Sequence, residues 1–378
     1  MMATPVISPP TILVLTTDAF GGRGGIARYM RDVLLAACEW RAGQGSLFAI
    51  PRRISDPPGA LPTNLRYLTV GASGRLGALR ALLQALREAR RFDLVICGHV
   101  LLLPMASLVS RLCRCPCLLF GYGIDVWQPP TSRLRRHLAR RVDGALAISS
   151  FTADQMCAWM GFPRLQVTLL PPCVDLSAFT PGPRDGALAA RYGLAGRRIL
   201  LTLARLDARE RYKGIDEIIA LLPSLATTFP DLSYLVVGDG DDRPRLQQHA
   251  AAVGVADRVV FAGWIPDEQK VAHYRLADAF AMPSRGEGFG IVFLEAMACG
   301  VPVLASTLDG SREAVLDGQL GLLADPRVPA DLQAKLEVLL RQPRGKRPEG
   351  LSAFAYPAFA RKVHTLLDAW TPGAGSPR

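Results

Sequence analysis

The sequence predicts an α/β protein built from two doubly wound, Rossmann-like domains. Its 378 residues are two to three times the usual length of a domain. Continuous apolar segments alternate with helical patterns, as in parallel sheets covered by helices on both faces. The alternation is interrupted once, at the proline- and glycine-rich residues 169–186, and then starts again. We therefore expect residues 169–186 to link two domains.

The first domain is predicted to span residues 1–174. It opens with the apolar strand "TILVLTTD" at 11–18, a glycine cluster and a helix over about 26–40. The segments "GSLFAI", "FDLVICG", "PCLLFG" and "GALAIS" supply further strands, and helices are predicted over 76–91 and 101–112. Because the strands are apolar throughout, they indicate a buried parallel sheet.

The second domain is predicted to span residues 175–353 and repeats this pattern. Its strands are "RRILLTLAR", "LSYLVVGDG", "RVVFAGW", "AFAMPS" and "PVLAS", with helices predicted over 215–229, 243–253, 267–276 and 291–299. A last helix is predicted over 354–371, after the polar stretch "RQPRGKRPEG".

The composition predicts a cytoplasmic protein. No apolar run reaches the length of about 18 residues that spans a bilayer, since Arg111 and Arg114 interrupt the best candidate. The N-terminus lacks a basic segment followed by an apolar one, so we expect no signal peptide. Cys113, Cys115 and Cys117 have neither a C-x-x-C spacing nor a nearby His, and we expect them to be structural rather than metal ligands.

The net charge of +11 calls for an acidic partner. The basic residues follow helical patterns without interleaved aromatics, which argues against nucleic acid and favours an anionic membrane surface. In the predicted helix 76–91, basic residues lie opposite a leucine face of Leu79, Leu82, Leu83 and Leu86. Residues 132–141 add a second basic stretch. Two solvated amphipathic helices remain the alternative reading. The arginines concerned are Arg80, Arg87, Arg91, Arg133, Arg135, Arg136, Arg140 and Arg141.

The glycine cluster "FGGRGG" at 20–25 predicts a phosphate-binding turn, because glycines allow close backbone approach and a helix N-terminus attracts anions. From Gly22 to Ala27 it also fits G-x-G-x-x-A, the dinucleotide fingerprint. This leaves an NADP-dependent oxidoreductase open as an alternative function, with Arg52 and Arg53 reading a 2′-phosphate.

The segment "MPSRGEGFGIVFLEAMACGVPVLAS" at 282–306 carries the most specific pattern. Glu287 and Glu295 are separated by seven residues, and Gly286, Gly288 and Gly290 form a flexible loop before the helix. Free amides at that helix start suit a diphosphate, and the two acids suit the hydroxyls of a sugar and a ribose. A nucleotide-sugar site needs these groups.

Two cations in "LARLDARERYKGIDEI" complete the pattern. Arg205 follows a predicted strand and Lys213 precedes the next helix, so both lie at the edge of the sheet where ligands bind. They would neutralise a departing diphosphate, Arg205 as a fork and Lys213 as a point charge.

Together, "GGRGGIARY", "ARLD…RYKG", "VVGDGDDRPRL", "GEGFGIVFLEAMACGVPVLA" and "DGSREAVLDGQLG" resemble the family 4 glycosyltransferases over nearly the whole chain. The resemblance implies a GT-B fold with the donor site in the interdomain cleft, retention of anomeric configuration, and neither cofactor nor obligate metal. It also implies an acceptor-side first domain, onto which the last helix crosses back. By resemblance, Arg205 and Lys213 bind the diphosphate of the donor. Glu287 binds the transferred sugar and Glu295 binds the ribose. The other residues that the resemblance assigns to donor binding are Gly24, Gly25, Gly288, Phe289 and Gly290.

Three further candidates lie in the first domain. His99 follows the strand "FDLVICG", where a histidine of this family faces the donor sugar, so the resemblance makes it a catalytic candidate. Relatives carry His-Gly-x-Asp or His-Gly-x-Glu where this chain has Tyr122-Gly123-Ile124-Asp125. Tyr122 and Asp125 are therefore acceptor-binding candidates, with helix capping as the other reading of Asp125.

The resulting hypothesis is a retaining hexosyltransferase. Its donor is GDP-mannose in preference to a UDP-hexose, by likeness to bacterial polysaccharide mannosyltransferases. Its acceptor is a glycan or a lipid-linked glycan, and the protein is expected to be peripheral at the inner face of the cell membrane. The alternatives are the oxidoreductase and a sugar-phosphate-binding regulatory module.

Overall fold

The computed structural model describes residues 9–371; the first eight residues, which belong to the segment assessed for a signal peptide, lie outside it. The chain forms two compact units. Unit 1 contains the described residues up to Cys173 together with those from Tyr356 onward, and unit 2 contains Val174–Ala355.

Unit 1 is built on a parallel sheet of seven strands. The strands are β1 (Thr11–Thr16), β2 (Ser46–Pro51), β3 (Leu65–Tyr67), β4 (Leu94–Cys97), β5 (Cys117–Gly121), β6 (Gly144–Ala147) and β7 (Val167–Leu169). Their order is β3-β2-β1-β4-β5-β6-β7, so the direction of winding reverses between β1 and β4. Such a reversal opens a crevice at the carboxyl ends of the strands, where ligands bind in doubly wound folds.

Helices cover both faces of this sheet. They are α1 (Gly25–Glu39), α2 (Gly74–Ala89), α3 (Leu103–Cys113), α4 (Ile124–Trp127), α5 (Arg133–Ala139) and α6 (Ser150–Met160). Buried residues of α2, α3, α5 and α6 belong to one apolar cluster with one side of the strands. These four helices therefore form a single layer, which we call the α2–α6 layer.

Unit 2 has a parallel sheet of six strands in the order β10-β9-β8-β11-β12-β13. The strands are β8 (Arg198–Leu203), β9 (Leu232–Val237), β10 (Val259–Gly263), β11 (Ala279–Ala281), β12 (Val303–Ser306) and β13 (Leu322–Ala324). Its helices are α7 (Gly186–Arg191), α8 (Ile215–Thr228), α9 (Arg243–Ala252), α10 (Lys270–Leu276), α11 (Ile291–Ala298), α12 (Ser311–Ala314) and α13 (Pro329–Arg341). The winding reverses between β8 and β11, and the two doubly wound sheets confirm the predicted fold class.

The last helix, α14 (Tyr356–Trp370), belongs to unit 1 and packs on α1. The rings of Phe359 and Tyr29 meet edge to face at 5.8 Å. His364 Nε2 lies 2.9 Å from the carbonyl oxygen of Ala36, and Trp40 Nε1 donates to Asp368 at 3.1 Å. One amphipathic face of α14 thus completes the cover of α1.

Two expectations about surfaces need correction. In α2, Leu82 is buried, but Leu79 and Leu83 are 50% and 43% exposed, so the predicted leucine face is only partly internal. In α5, Arg136 is only partly exposed and donates to the carbonyl of Pro130, and Arg140 after the helix is exposed and donates to that of Trp159, so both keep their charge but are held in place. Backbone acceptors hold both guanidinium groups.

The eight cysteines are free thiols, and Cys113, Cys115 and Cys117 are buried. Burial raises the pKa of the Cys115 thiol to about 12. Buried thiols of this kind behave as small apolar side chains. Within residues 9–371, no helix combines the length and the apolar character that crossing a bilayer requires.

Candidate functional site

Two loops at the carboxyl edge of the unit 2 sheet touch each other. The first joins β8 to α8 and includes Tyr212; the second joins β11 to α11 and includes Gly286. The amide of Arg285 donates to the carbonyl of Tyr212 at 2.8 Å. A Cβ on Gly214 would lie 2.4 Å from the carbonyl oxygen of Pro283, and one on Gly286 would lie 3.1 Å from the Tyr212 ring. Close approach and a φ of 83° therefore require glycine at Gly214, and Gly286 leaves little room for a side chain.

This contact joins Lys213 to Glu287. Lys213 Nζ donates to Glu287 Oε2 at 2.6 Å, and both side chains are largely buried, with exposed fractions of 16% and 18%. Burial disfavours the lysine charge, but Glu287 and Tyr212 outweigh that effect and raise the pKa of Lys213 above its ordinary value. The site therefore holds a fixed ammonium group beside a carboxylate, at the edge where a diphosphate would bind.

Arg205 lies on the outer side of the same cluster. Its side chain is 68% exposed and pairs with Glu210. Burial raises the pKa of Tyr212, and the charges of Lys213, Glu210, Glu287 and Arg205 all act on this hydroxyl. Arg205 is thus near the Lys213–Glu287 pair. Its own side chain is exposed although Glu210 is only 18% exposed, so its guanidinium group is open to a second anionic partner such as a phosphate.

Asp309, between β12 and α12, anchors the glycine-rich loop. Its fully buried carboxylate accepts from Ser284 Oγ at 2.6 Å and from the amide of Glu287 at 2.7 Å. The amide and hydroxyl of Ser311 donate to its other oxygen at 3.0 and 2.6 Å. The Gly310 amide in turn donates to the Glu287 carbonyl. Asp309 therefore fixes the backbone that carries Glu287.

Glu295, the predicted ribose-binding residue, lies in the second turn of α11 and is fully buried. Tyr274 Oη donates to its Oε2 at 2.8 Å, and Lys270 Nζ is 3.6 Å from its Oε1. Packing by α10 supplies both partners, so the carboxylate is not open to solvent.

The rest of the glycine-rich loop offers backbone rather than side chains. Phe289, a predicted donor-binding residue, is 1% exposed and packs edge-on against Phe354 with ring centroids 5.6 Å apart. Gly290 has φ 84° and precedes α11 directly. With Gly288 it places the free amides of the α11 N-terminus at the loop, where they favour an anion.

In unit 1, the turn after β1 leaves space at the start of α1. Gly24 has φ 90°, and added Cβ atoms on Gly24 and Gly25 would meet nothing within 4 Å. By contrast, a Cβ on Gly21 would lie 2.1 Å from the carbonyl oxygen of Asp56. Gly21 is therefore needed for packing, whereas Gly24 and Gly25 leave the helix N-terminus accessible to an anion.

His99 follows β4 at the same edge of the unit 1 sheet. Its Nδ1 accepts the amide of Leu101 at 3.0 Å. Burial, reinforced by the charges of Arg52 and Arg135, lowers the pKa of His99 to about 4. The imidazole is thus neutral near pH 7, and because Nδ1 is an acceptor, Nε2 carries the proton and is a donor.

Tyr122 and Asp125 follow β5 and contain two unsatisfied polar atoms. Asp125 Oδ1 accepts the amide of Tyr122 at 3.2 Å; because Tyr122 precedes Gly123, the N-cap of α4, this bond is not the helix cap considered from the sequence. Asp125 Oδ2 and Tyr122 Oη are buried without a hydrogen-bond partner in the described chain. Burial raises the pKa of Asp125 to about 7 and that of Tyr122 well above its ordinary value. Because buried polar atoms usually have a partner, these two atoms are candidates for hydrogen bonds to a ligand.

Sequence comparisons identify the family. Residues 24–178 match the model for Glycosyltransferase Family 4, and residues 190–356 match that for glycosyl transferases group 1. A GDP-mannose-dependent alpha-(1-6)-phosphatidylinositol monomannoside mannosyltransferase of Mycobacterium tuberculosis is 35% identical over 84% of this chain and 85% of its own length. The chain belongs to the family 4 glycosyltransferases. It is a retaining, nucleotide-sugar-dependent enzyme of the GT-B fold.

Other relatives support this assignment. The mannosyltransferase of the same description from Mycolicibacterium smegmatis is 37% identical, over 66% of this chain but 64% of its own length. A D-inositol 3-phosphate glycosyltransferase of Nocardiopsis dassonvillei is 32% identical over 93% of this chain and 90% of its own. Because the chain belongs to this family, the glycine turn at 20–25 is not the NADP-binding turn of an oxidoreductase, which was the alternative function.

Solved structures show the same fold. Anabaena Alr3699/HepE in complex with UDP and glucose superposes with a TM-score of 0.74 at 21% identity, covering 95% of this chain and 100% of HepE. WaaG, a glycosyltransferase involved in lipopolysaccharide biosynthesis, gives a TM-score of 0.59 at 18% identity, covering 94% and 95% of the two chains.

Proposed function

We propose that this glycosyltransferase transfers mannose from GDP-mannose to a glycan or lipid-linked acceptor, as a peripheral enzyme at the inner face of the cell membrane. The observation that carries the proposal is the 2.6 Å contact of Lys213 with Glu287, beside the free amides of α11. The names of the mannosyltransferase relatives support mannose and guanosine over a UDP-hexose.

The proposed roles follow from charge. Lys213 and Arg205 stabilise the diphosphate as it leaves, together with the amides of the glycine-rich loop. Glu287 accepts hydrogen bonds from the mannose hydroxyls. The acceptor hydroxyl attacks the anomeric carbon on the face from which the diphosphate departs. The new glycosidic bond forms as the bond to the diphosphate breaks, and the hydroxyl proton passes to the departing phosphate oxygen.

Unit 1 contributes neutral groups in this proposal. His99 donates from Nε2 to a sugar oxygen rather than acting as a base, since its pKa of about 4 keeps it neutral. Tyr122 Oη and Asp125 Oδ2, both buried without a partner in the described chain, bind acceptor hydroxyls. Gly24 and Gly25 bind phosphate oxygens through their amides.

Ligand binding tests the donor. Thermal-shift measurements should give a larger stabilisation with GDP than with UDP at the same concentration, because the stabilisation grows with the ratio of ligand concentration to Kd. A ligand at 100 times its Kd adds about 2.7 kcal/mol. Glu287→Gln should spare the binding of GDP but weaken that of GDP-mannose. Equal stabilisation by GDP and UDP in the wild type would contradict the donor assignment.

The role of Glu295 needs its own measurement. To bind ribose, its carboxylate has to exchange the hydroxyl of Tyr274 for the ribose diol. Calorimetry should then show weaker GDP binding by Glu295→Gln and unchanged or tighter GDP binding by Tyr274→Phe. If both variants bind GDP like the wild type, Glu295 is structural.

Turnover tests the reaction. Release of GDP from GDP-mannose should require an acceptor, and a panel containing a phosphatidylinositol mannoside, inositol 3-phosphate and a short mannoside separates the acceptor classes named for the relatives. Product of inverted configuration, or no transfer to any member of the panel, would contradict the proposal.

A further inference from the structure

A cavity of about 490 Å³ opens in unit 1 at a place that the proposed reaction does not use. Its wall includes Pro116 and Cys117 at the start of β5 and Asp143 just before β6. Because the strands are parallel, these amino ends lie at the edge of the sheet opposite to the glycine turn and His99. We call this cavity the arginine groove.

Three arginines line the groove. Arg111 lies in the last turn of α3, Arg114 directly follows that helix, and Arg141 lies just beyond α5. In the part of the chain that the structure describes, Arg111 and Arg141 form no ion pair. The single lining carboxylate, Asp143, accepts the amide of Cys117 at 2.8 Å. The groove therefore carries a net positive charge and suits a phosphate group.

Three exposed leucines neighbour the lining residues along α3 and α5. Leu108 and Leu112, each adjacent to a lining residue of α3, are 52% and 64% exposed. Leu134, one helical turn before the lining residue Leu138 of α5, is 57% exposed. A groove for a small soluble anion needs no such rim. Cations between exposed leucines are the pattern of a surface that enters the headgroup region of a bilayer.

The α2–α6 layer continues this pattern. Its helix α2 exposes Leu76, Leu79 and Leu83 beside Arg80 and Arg87. The arginine groove thus lies within a layer whose outer side combines leucine and arginine along several helices, and it gives that layer a concave basic feature. A flat basic surface attracts anionic lipid diffusely, whereas a groove can hold one headgroup.

We propose that the arginine groove binds the phosphate of an anionic membrane lipid headgroup, with Leu108, Leu112 and Leu134 inserted beside it. The lipid bound there is an anchor and not the acceptor, since the groove lies at the opposite edge of the sheet from the acceptor candidates. The inference rests on the membrane part of the proposed function and is independent of the donor.

The test uses vesicles of phosphatidylcholine with one-fifth phosphatidic acid. Arg111→Gln/Arg141→Gln should lower the vesicle partition coefficient by about tenfold or more, since each charge at the surface contributes about 1 kcal/mol. The matched control is Arg80→Gln/Arg87→Gln, which removes the same charge from α2 and should lower it clearly less. Transfer to a short soluble acceptor should be unchanged in both.

The outcomes are distinct. Equal losses in the two double variants overturn the groove and leave diffuse attraction. Thermal stabilisation by soluble glycerol 3-phosphate in the wild type, absent in Arg111→Gln/Arg141→Gln and without any difference in vesicle binding, assigns the groove to a soluble phosphate and overturns the lipid. Groove-dependent vesicle binding by a protein that fails to turn over any nucleotide-sugar leaves this proposal standing while the transferase proposal fails.

Discussion

At the scale of single residues, Lys213 is the group on which the proposed chemistry depends most. Its ammonium is held by Glu287 before any donor arrives, so little rearrangement is needed when charge develops on the diphosphate. Arg205 is exposed and paired with Glu210, and has to be recruited. The two cations are therefore unequal, although the sequence pattern treats them alike.

Lys213→Ala is expected to lower kcat by about 100-fold or more, because it removes a fixed charge that stabilises the leaving group. Arg205→Ala should lower kcat less. Lys362→Ala, at an exposed position of α14, is the control and should leave kcat unchanged. Steady-state kinetics give the answer, and a near-full kcat with only a raised KM in Lys213→Ala contradicts the leaving-group role.

Asp309→Asn is expected to impair kcat without touching substrate. Its carboxylate accepts four hydrogen bonds, two at each oxygen. An amide has an NH2 group in place of one oxygen, so the two donors at that position, those of Ser284 and Glu287 or the two of Ser311, would face another donor. The loop should loosen and unfolding should become easier by about 1–3 kcal/mol. Asp317→Asn, which removes an exposed pair with Arg312, should do neither. Urea denaturation and steady-state kinetics of the same variant test this. If the free energy of unfolding falls and kcat does not, the role of Asp309 is purely structural.

Asp125 predicts a pH dependence of stability. Burial raises its folded-state pKa to about 7, so the neutral acid is favoured on folding. This contribution is complete below the unfolded pKa, about 4, and is lost as pH rises to 7. The wild type should therefore lose up to about 4 kcal/mol relative to Asp125→Asn between pH 4 and pH 8. Urea titrations measure this, with exposed Asp154→Asn as control; a pH-independent difference would refute it.

At the scale of elements, α14 is a structural part of unit 1 although it is last in the chain. Phe359 is 2% exposed and packs on Tyr29. Phe359→Ala should lower the free energy of unfolding by about 3–5 kcal/mol, since it leaves a cavity in a packed interface. Thr365→Ala, at an exposed position of the same helix, should have little effect. Chemical denaturation of the two variants compares them directly, and equal stability would mean that α14 is dispensable.

At the scale of the whole molecule, the net charge of +11 would attract the protein to an anionic membrane that the α2–α6 layer faces. Sedimentation with anionic vesicles should then decrease steeply from low to moderate salt, because the Debye length falls to about 8 Å at physiological ionic strength. The exposed leucines should leave a residual binding that salt does not remove. If the protein binds anionic and neutral vesicles equally at low salt, its charge has no role in membrane binding.

Much of the molecule is predictable from the sequence because doubly wound folds repeat one rule. The apolar strands predict both sheets. Because ligand-binding loops lie at the carboxyl ends of the strands, the sequence also predicts that the loops of Lys213 and Glu287 meet. Four strands have only three residues, too few to show a periodicity. Of these, β3, β7 and β13 are missed, whereas β11 is predicted because it lies in the apolar segment "AFAMPS".

Side-chain partners are less predictable. Nothing in the spacing of Glu287 and Glu295 indicates that Tyr274, from a different helix, buries the second acid. The exposure of Leu79 and Leu83 likewise depends on how α2 lies on the sheet, which its amphipathic pattern fixes only approximately. Partners and exposure come from tertiary packing.

The return of α14 to unit 1 also orders events in time. Unit 2 is continuous in the chain, whereas unit 1 is complete only when the last helix has been synthesised. At about 5–20 residues per second, the roughly 180 intervening residues take about 10–40 s to translate. During that interval the apolar side of α1 that Phe359 later covers has no native partner on the nascent chain. The ribosome-bound protein is therefore most exposed to chaperones and to aggregation while its second half is being made.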